Sequence, residues 1–581
     1  MDHKIILQDA YKGYTLDQDK VLSPEETVRR FRDKLKNVDL DILEETVRID
    51  NGRLDIPVYF GVCGRDAETV IGTKKQMGKG GTPNQSEASA VMELAERFSF
   101  YSFSQDSGNF IVEQYKNIKD RALAFEMIAK SVHDDSGELD AAREIFSRLP
   151  LKWTWGYNMT KEKAVLIPFD WFFAINEFNG SSAGNCAEEA ISQGICEVVE
   201  RHVSSIISRG RLKTPAIDLD SVSDPLIVEM IGKYRKAGIR LFASDFSLNM
   251  GIPSVGVLAY DPATFPDKSE IVWTAGTTPD PEKALNRALT EVAQLAGDFN
   301  SGSNYVASVL PKFRDLSEAD FVVHGTDTVD IAKLPDISND NIRVEVENCI
   351  GALTRSDLEV IVVDVMHPEL GIPAFYTIMP GAHFRERAAG TSVGMFSAKL
   401  IAERGEPEWA LSELKKMDRL MPNKYYIRFF SGVSYIACNE PLKGLACLQE
   451  AFELEPKDED IPSIYSYMGV CLKDLERYDE AINVLEKAVQ YDDERTDVYN
   501  LLGFCHFKRK AHENAIEAFR KVLELNPGSA IDYANIASNY RDMGEIDKAV
   551  EYYRLALELD ETIDFARENL NKLEADSGVS D

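Results

Sequence analysis

The stretch Asn84–Tyr101, "NQSEASAVMELAERFSFY", decides how the first two thirds of the chain is read. Gln85, Ser89, Glu93 and Arg97 are spaced four apart with Glu96 beside them, so they stack on one face of a helix. Most other positions are apolar, Val91, Leu94 and Phe98 among them, which predicts a mostly buried helix carrying one polar stripe. Carboxylates placed inside such a helix need something to hold them. The pattern recurs in "EEAISQGICEVVERH", where Glu189, Gln193, Glu197 and Arg201 repeat the spacing, with Glu200 beside them and Ile191, Ile195 and Val199 between. A third helix, "ALNRALTEVAQ", places Arg287, Glu291 and Gln294 in a similar arrangement.

Around these helices, strand-like runs such as "IPVYFGVC", "GIPSVGVLAY" and "LEVIVVDV" alternate with helical stretches such as "PEETVRRFRDKL" and "EKALNRALTEVAQLA". That mixture predicts an α/β (α+β) domain over residues 1–388; strand order is not readable from it. The first two acidic helices each follow a glycine-bearing loop, "GKGGT" from Gly78 and "NGSSAGN" from Asn179. Free backbone N–H groups in such loops suit anions. Neither loop matches G-x-x-x-x-G-K-[ST], so neither is a P-loop. Clustered glutamates repel a phosphate unless metal ions lie between them, and Mg2+ takes hard oxygen ligands while keeping phosphates among them. Arginines in the same stripes can pair with phosphate oxygens or keep the carboxylates ionised. Singly, each motif also fits an ordinary solvated face. The duplicated stripe, with a third acidic helix, points to a Mg-nucleotide site.

From about residue 391 the sequence becomes periodic. A 34-residue step aligns Gly469, Gly503 and Ala537; Ala481, Ala515 and Ala549; Leu485, Phe519 and Tyr553; and Ala488, Val522 and Ala556, with Pro527 just after its helix. Small residues at fixed columns let paired helices approach closely, and the large ones fill the gaps. This resembles tetratricopeptide repeats, all-α helix-turn-helix units that stack into a solenoid, here expected over residues 391–575. Two weaker copies precede these, with Gly432, Leu448, Ala451 and Pro456 in one and Ala398, Ala410, Leu414 and Pro422 in the other. "KDED" breaks the period once, and "ETIDFARENLNKLEAD" reads as a polar capping helix. Such arrays bind peptides or proteins, or serve packing and dimerisation.

The first 388 or so residues resemble the YcaO family. "GKGGTPNQSEASAVMELAERFS" is similar to its first nucleotide motif, S-x-x-x-E-x-x-E-R after a G-K-G loop. "NGSSAGNCAEEAISQGICEVVER" resembles the second motif, "ALNRALTEVAQ" the third, and "DKVLSPEETVRRF" the segment that supplies a lysine, a hydroxyl and an arginine. The resemblance implies ATP and Mg2+ as cofactors. By it, Glu93, Glu96, Glu197, Glu200 and Glu291 hold the metal ions. Lys20, Thr27, Arg30, Ser89, Arg97, Asn185, Glu189, Arg201, Ala284 and Arg287 line the nucleotide. Glu93, Glu200 and Arg201 are the implied catalytic set. Thr27 stands where a serine is common.

Members of the family with known chemistry use ATP to activate a backbone amide oxygen of a peptide, so that a nucleophile completes azoline or thioamide formation. Azoline-forming members commonly end in P-x-P-x-P, whereas this sequence ends "EADSGVSD", so a thioamide or related modification is expected rather than an azoline. The long form with a repeat tail is linked to methylthiolation of ribosomal protein S12 as an accessory factor to the methylthiotransferase. Three readings therefore stay open. One is an ATP-dependent enzyme whose repeats recruit a peptide or protein substrate, a methylthiotransferase or a sulfur donor. The second is a non-catalytic accessory or scaffold, and the third a degenerate domain, against which the intact glutamate stripes count. A homodimer is implied by the resemblance alone.

The totals set outer limits. In 581 residues, 44% are hydrophobic, enough for more than one core. A net charge of -32 argues against nucleic acid or an anionic membrane as partner. The start, "MDHKIILQDAYKGYTLDQDK", has no signal-peptide pattern and no apolar run is long enough to span a bilayer, so the sequence reads as cytoplasmic. Eight cysteines without a C-x-x-C pair read as reduced core residues. The eight histidines show no ligand spacing; His202, after Glu200 and Arg201, either lines a site or packs in the fold.

Overall fold

A computed structural model describes residues 3–50, 52–72, 75–266, 269–296, 313–384, 391–526 and 528–577. The chain divides into two compact units, Met1–Leu139 with Phe146–Val393, and Asp140–Ile145 with Gly394–Asp581.

The first unit is built on three sheets. Strands β1 (Leu43–Arg48), β2 (Val58–Cys63) and β3 (Lys75–Lys79) form an antiparallel sheet in that order, which leaves β3 at an edge. A five-stranded sheet runs in the order Val272–Thr277, Ser254–Tyr260, Arg240–Asp245, Ala216–Asp218 and Thr328–Asp330, with only the last pair parallel. In the six-stranded sheet, Pro150–Asn158 and Ile361–Asp364 are central, and the short strand Ser181–Ala183 forms one edge. That strand lies inside the "NGSSAGN" run expected to be a loop; pairing with Ala374–Ile378 gives its backbone a sheet partner.

The three polar-striped helices form where expected. The first, Pro83–Gln105, begins with Pro83 in its first turn and Thr82 as N-cap, whose hydroxyl accepts from the Gln85 N–H. It packs directly on β3: a Cβ at Gly78 would lie 2.1 Å from the Ala90 nitrogen and 2.3 Å from the Ser86 oxygen. The second, Ala187–Gly210, ends with Arg211 in the left-handed region at φ 44°. The third, Pro281–Ala296, starts at Asp280, whose carboxylate accepts from the N–H groups of Glu282 and Lys283.

Each helix buries its apolar side in a different cluster. Val91, Leu94, Ala95 and Phe98 pack with Phe31, Ile42 and Ile372. Leu285, Ala288, Leu289 and Val292 pack on the strands that carry Val257, Ala259 and Val272. Ile191, Ile195, Val198 and Val199 of the second helix are fully enclosed. The polar stripes thus lie opposite the buried apolar side of each helix, which fixes the direction each one faces.

The second unit is a succession of helix pairs. Ile461–Asp474 with Tyr478–Tyr491, Thr496–Lys508 with His512–Leu525, and Ala530–Met543 with Ile546–Leu559 carry the sequence columns. A Cβ at Gly469 would meet Leu485 at 2.5 Å, and one at Gly503 would meet Phe519 at 2.6 Å. The small column is small because the large column of the paired helix occupies its space. Weaker pairs precede them, Val393–Arg404 with Pro407–Leu420 and Tyr425–Ala437 with Pro441–Glu453. "KDED" forms a 3-10 turn at Asp458–Asp460, and the capping segment is the helix Asp564–Ser577, anchored by Ala566 and Leu570. Pro527 and the end of "EADSGVSD" lie outside the described residues.

Candidate functional site

The three polar stripes line one cavity of about 510 Å3. Ser89, Glu93, Glu96 and Arg97 come from the first helix, Glu189, Gln193, Glu197 and Arg201 from the second, and Arg287, Glu291 and Gln294 from the third. The amino-terminal segment adds Gln18, Lys20 and Thr27, strand β3 adds Lys75, Gln76, Met77 and Lys79, and the loop after Ala183 adds Gly184 and Asn185. Glu200 sits behind this wall, 1% exposed, with its Oε2 accepting from Arg287 Nε at 3.0 Å.

Carboxylates and cations interleave across the helices. Arg97 lies 3.4 Å from Glu96 and 3.9 Å from Glu93, with its guanidinium 3.8 Å from the centre of the Phe178 ring. Arg201 lies 3.6 Å from both Glu197 and Glu200. Lys79 pairs with Glu291, and the Gln193 side-chain oxygen, in the amide orientation that matches donor to acceptor, accepts from Arg287 Nη1 at 2.7 Å. The segment after Phe178 reaches both acidic helices: the Gly180 N–H donates to Glu197 at 3.2 Å and Ser181 Oγ to Glu96 at 2.7 Å. Glu189 accepts from the Val21 N–H at 2.6 Å and the Asn185 N–H at 2.9 Å, which ties the amino-terminal segment to the second glycine-bearing loop.

Burial pushes the carboxyl groups of Glu93 and Glu200 above their usual range, against the pull of neighbouring cations. Burial also pushes Glu96 up to about 8, where repulsion from Glu197 and Glu93 adds to it and Arg97 opposes it. Glu291 goes the other way. Burial raises it, but Lys79, Arg201 and Arg287 together outweigh that and hold it below the usual range. Burial disfavours the charges on Arg97, Arg201 and Arg287, yet the surrounding carboxylates outweigh it and keep all three firmly protonated.

The donor set fits a polyphosphate with divalent metal. Arg97 Nη1, which faces Glu96 at 3.4 Å, and Arg201 Nε are buried and make no hydrogen bond, so neither donor is satisfied within the protein, and an oxyanion suits both. Five carboxylates supply the hard oxygens that Mg2+ takes. Among the described residues, no three acidic, histidine or cysteine side chains form a ready-made cation site; oxygens of a bound ligand would complete the coordination of an ion held here.

Most of the residues expected at the site line the cavity, but Glu200 stands just behind its wall on Arg287, and two others lie away from it. Arg30 points along an exposed face and pairs with Glu26, one helical turn back. Ala284 is fully buried in the core beneath the third helix, its carbonyl pressed against Gly276. His202 packs instead of lining the cavity: its Nδ1 accepts from the His383 N–H, and burial depresses its pKa to about 3. All eight cysteines are free thiols. Lys79 is a residue of the cavity to which the sequence reading assigns no role; its place between two glycines is the available signal. Phe178 carried no periodic or motif signal, because a single aromatic in a connector looks like any other.

A pocket of this construction, with carboxylates and arginines from three helices and no P-loop, defines a nucleotide-and-metal α/β domain of non-Walker type. The family model described as YcaO cyclodehydratase, ATP- and Mg2+-binding, matches residues 77–383, so the chain belongs to the YcaO family and ATP and Mg2+ are the cofactors of that family. Tetratricopeptide-repeat models match 463–495, 496–529 and 533–563. An uncharacterized protein of Methanothermobacter thermautotrophicus is 25% identical over 387 residues, 62% of this chain and 94% of that protein. The ribosomal protein S12 methylthiotransferase accessory factor YcaO of Escherichia coli is 29% identical over 303 residues, 47% of this chain and 48% of that protein. The match thus spans about half the length of that relative. The solved structure of YcaO from Methanopyrus kandleri bound with AMPPCP and Mg2+ shares the fold at a TM-score of 0.50 and 22% identity, over 65% of this chain and 95% of its own. No described helix is long and apolar enough to cross a membrane.

Proposed function

We propose that the first unit binds ATP and Mg2+ in the three-helix cavity and activates a backbone amide oxygen of a peptide or protein by phosphorylation, toward a thioamide or related modification. The observation that carries the reading is the convergence of all three carboxylate–arginine stripes on one cavity, with buried guanidinium N–H groups left open. Glu93, Glu96, Glu197, Glu200 and Glu291 are the residues suited to hold the metal. Lys20, Thr27, Ser89, Asn185, Glu189, Arg97, Arg201 and Arg287 are placed to surround the nucleotide.

When bound, ATP supplies the phosphoryl group that makes an amide oxygen a good leaving group, and Mg2+ neutralises its charge. What this chain contributes is positioning and charge. Arg97 and Arg201 present cations backed by Glu96 and Glu200, so their orientation is set before a ligand arrives. Arg287 holds Glu200 in place from the third helix. Glu93 and Glu200, one from each of the two longest helices, with Arg201, form the catalytic set in this reading. It requires no side-chain nucleophile, because phosphoryl transfer depends on positioning and electrostatics.

A second reading, an accessory factor in methylthiolation of ribosomal protein S12, is favoured by the Escherichia coli relative and by the repeats, which present a protein-interaction module. Repeat-mediated recruitment of a methylthiotransferase, a sulfur donor or the substrate itself fits either reading. Isothermal titration of ATP into the full chain, with and without Mg2+, separates them from a nucleotide-free scaffold. Mg-dependent binding lost in folded Glu93→Ala and Glu200→Ala variants is the expected result. No binding heat in any condition would remove the nucleotide reading and leave the repeats as the working part.

A further inference from the structure

Lys79 stands at the end of β3 inside the cavity, 15% exposed, with its ammonium on the Glu291 carboxylate, itself 16% exposed. Its charge also acts on Glu93 and Glu200, so it influences a carboxylate from each of the three acidic helices. The backbone beneath it is fixed. Gly78 is pressed against Ser86 and Ala90, and its carbonyl accepts from Ser86 Oγ at 3.0 Å. The side chain above is a flexible four-carbon stem ending in a point charge that can turn to a new partner without moving β3.

We propose that Lys79 is an exchangeable counter-ion of the site: it neutralises Glu291 in the metal-free chain, releases that carboxylate to the metal, and turns to the triphosphate. The inference rests on the nucleotide-and-metal reading above. An ammonium cannot share a carboxylate lone pair with a divalent cation at close range without strong like-charge repulsion. Once a metal takes Glu291, Lys79 needs another anion. The anion that comes with the metal is the triphosphate, and Lys79 belongs to the wall of the cavity that would hold it. Arg97, Arg201 and Arg287 differ in this respect, since each bridges or backs carboxylates on its own or a neighbouring helix. Lysine suits the exchange; a planar guanidinium locked in a two-carboxylate arrangement does not.

The exchange predicts opposite signs for the two ligands, which a merely structural lysine would not give. In the full chain, Lys79→Met removes the competitor for Glu291, so Mg2+ alone binds about threefold to tenfold tighter. The same variant loses a charge-assisted bond to the nucleotide, so MgATP binds about tenfold weaker or worse. Lys79→Arg keeps the charge but not the compact, swinging ammonium, so its MgATP affinity falls between those of wild type and Lys79→Met. Glu291→Gln frees Lys79, so tripolyphosphate in EDTA binds tighter than to wild type while Mg2+ binds weaker. Calorimetry measures all five affinities, with circular dichroism confirming the fold.

Parallel weakening of Mg2+ and MgATP in Lys79→Met, or no change in either, overturns the inference while leaving the nucleotide site standing. If Lys79→Met does not fold, Glu291→Gln decides: unchanged or weaker tripolyphosphate binding overturns it. A wild-type chain that binds neither Mg2+ nor ATP removes the underlying reading, and this one with it.

Discussion

Gly78→Ala tests whether the first acidic helix owes its place to its contact with β3. The added methyl would stand 2.1 Å from the Ala90 nitrogen and 2.3 Å from the Ser86 oxygen, both backbone atoms that cannot rotate away. Ordinary contact begins near 3.4 Å, so helix and strand must part by about 1.3 Å. Overpacking of this kind costs about 1–3 kcal/mol. The functional effect should be larger, because Lys79 lies on the moving strand and Glu93 and Arg97 on the moving helix. A displacement of about 1 Å in a positioned site costs on the order of a hundredfold. Gly232→Ala is the matched control: Gly232 lies within the helix Pro225–Lys236, and a Cβ there meets nothing within 4 Å. It should stabilise by about 0.5–1 kcal/mol and leave ATP binding alone. Urea unfolding of the full chain and MgATP titration of both variants make the assay. A Gly78→Ala chain with wild-type stability and wild-type affinity would refute the account of how the site is held together.

Other substitutions probe separate parts of the molecule. Phe178→Leu removes the ring beneath the Arg97 guanidinium, a contact worth about 0.5–2 kcal/mol, so MgATP affinity should fall about threefold to thirtyfold and Phe178→Tyr should restore it in the same titration. Phe519→Ala empties the space opposite Gly503 and should cost about 3–5 kcal/mol, read as an earlier urea transition of the repeat helices with nucleotide affinity unchanged. Lys12→Met leaves Glu345 and Asp19, at 2.6 and 2.7 Å from the lost ammonium, without their cation and should cost about 3–5 kcal/mol. Burial lowers the Lys12 pKa, but those two carboxylates outweigh it and hold the folded value above 10.5. The contribution is therefore fully present below pH 10.5 and lost as pH climbs through the raised value, so alkaline titration should destabilise wild type more than Lys12→Met.

The stripes and the repeat columns were legible in the sequence because both are periodic. Glu93 and Arg97 share a face by spacing alone, and Gly503 sits opposite Phe519 because the two columns belong to one repeated unit. The α/β class could be inferred from alternating patterns, but the three-sheet arrangement could not. Pairings such as that of Ile361–Asp364 with Pro150–Asn158 join residues about 200 apart, and no local signal encodes them. Arg30 and Ala284 failed to reach the cavity for different reasons. Arg30 found a carboxylate one turn away on its own helix, and Ala284 lies on the core side of the helix that carries Arg287. Ser181 and Phe178 were invisible because their roles depend on a connector folding back over the first acidic helix, with Ser181 and Glu96 85 residues apart in sequence.

A site that gathers carboxylates before its metal arrives carries that repulsion in the metal-free chain, and Glu96 is where it is most concentrated. Glu96 is 16% exposed, and the charges of Glu93 and Glu197 both act against its own. With its pKa pushed up to about 8, Glu96 must take up a proton on folding at neutral pH. Glu96→Gln supplies the neutral form with little change of shape, and Ser181 Oγ can still donate to the amide oxygen. Arg97 keeps Glu93 and the Phe178 ring. The metal-free variant should therefore be more stable than wild type by about 1–2 kcal/mol. Mg2+ should do the reverse: in wild type it raises the urea midpoint by mass action, and in the variant that gain should shrink. Two curves, with and without Mg2+, should thus cross between the two proteins. Wild type being the more stable in both conditions would mean that Glu96 serves packing, and that the acidic stripe is no device for holding a cation.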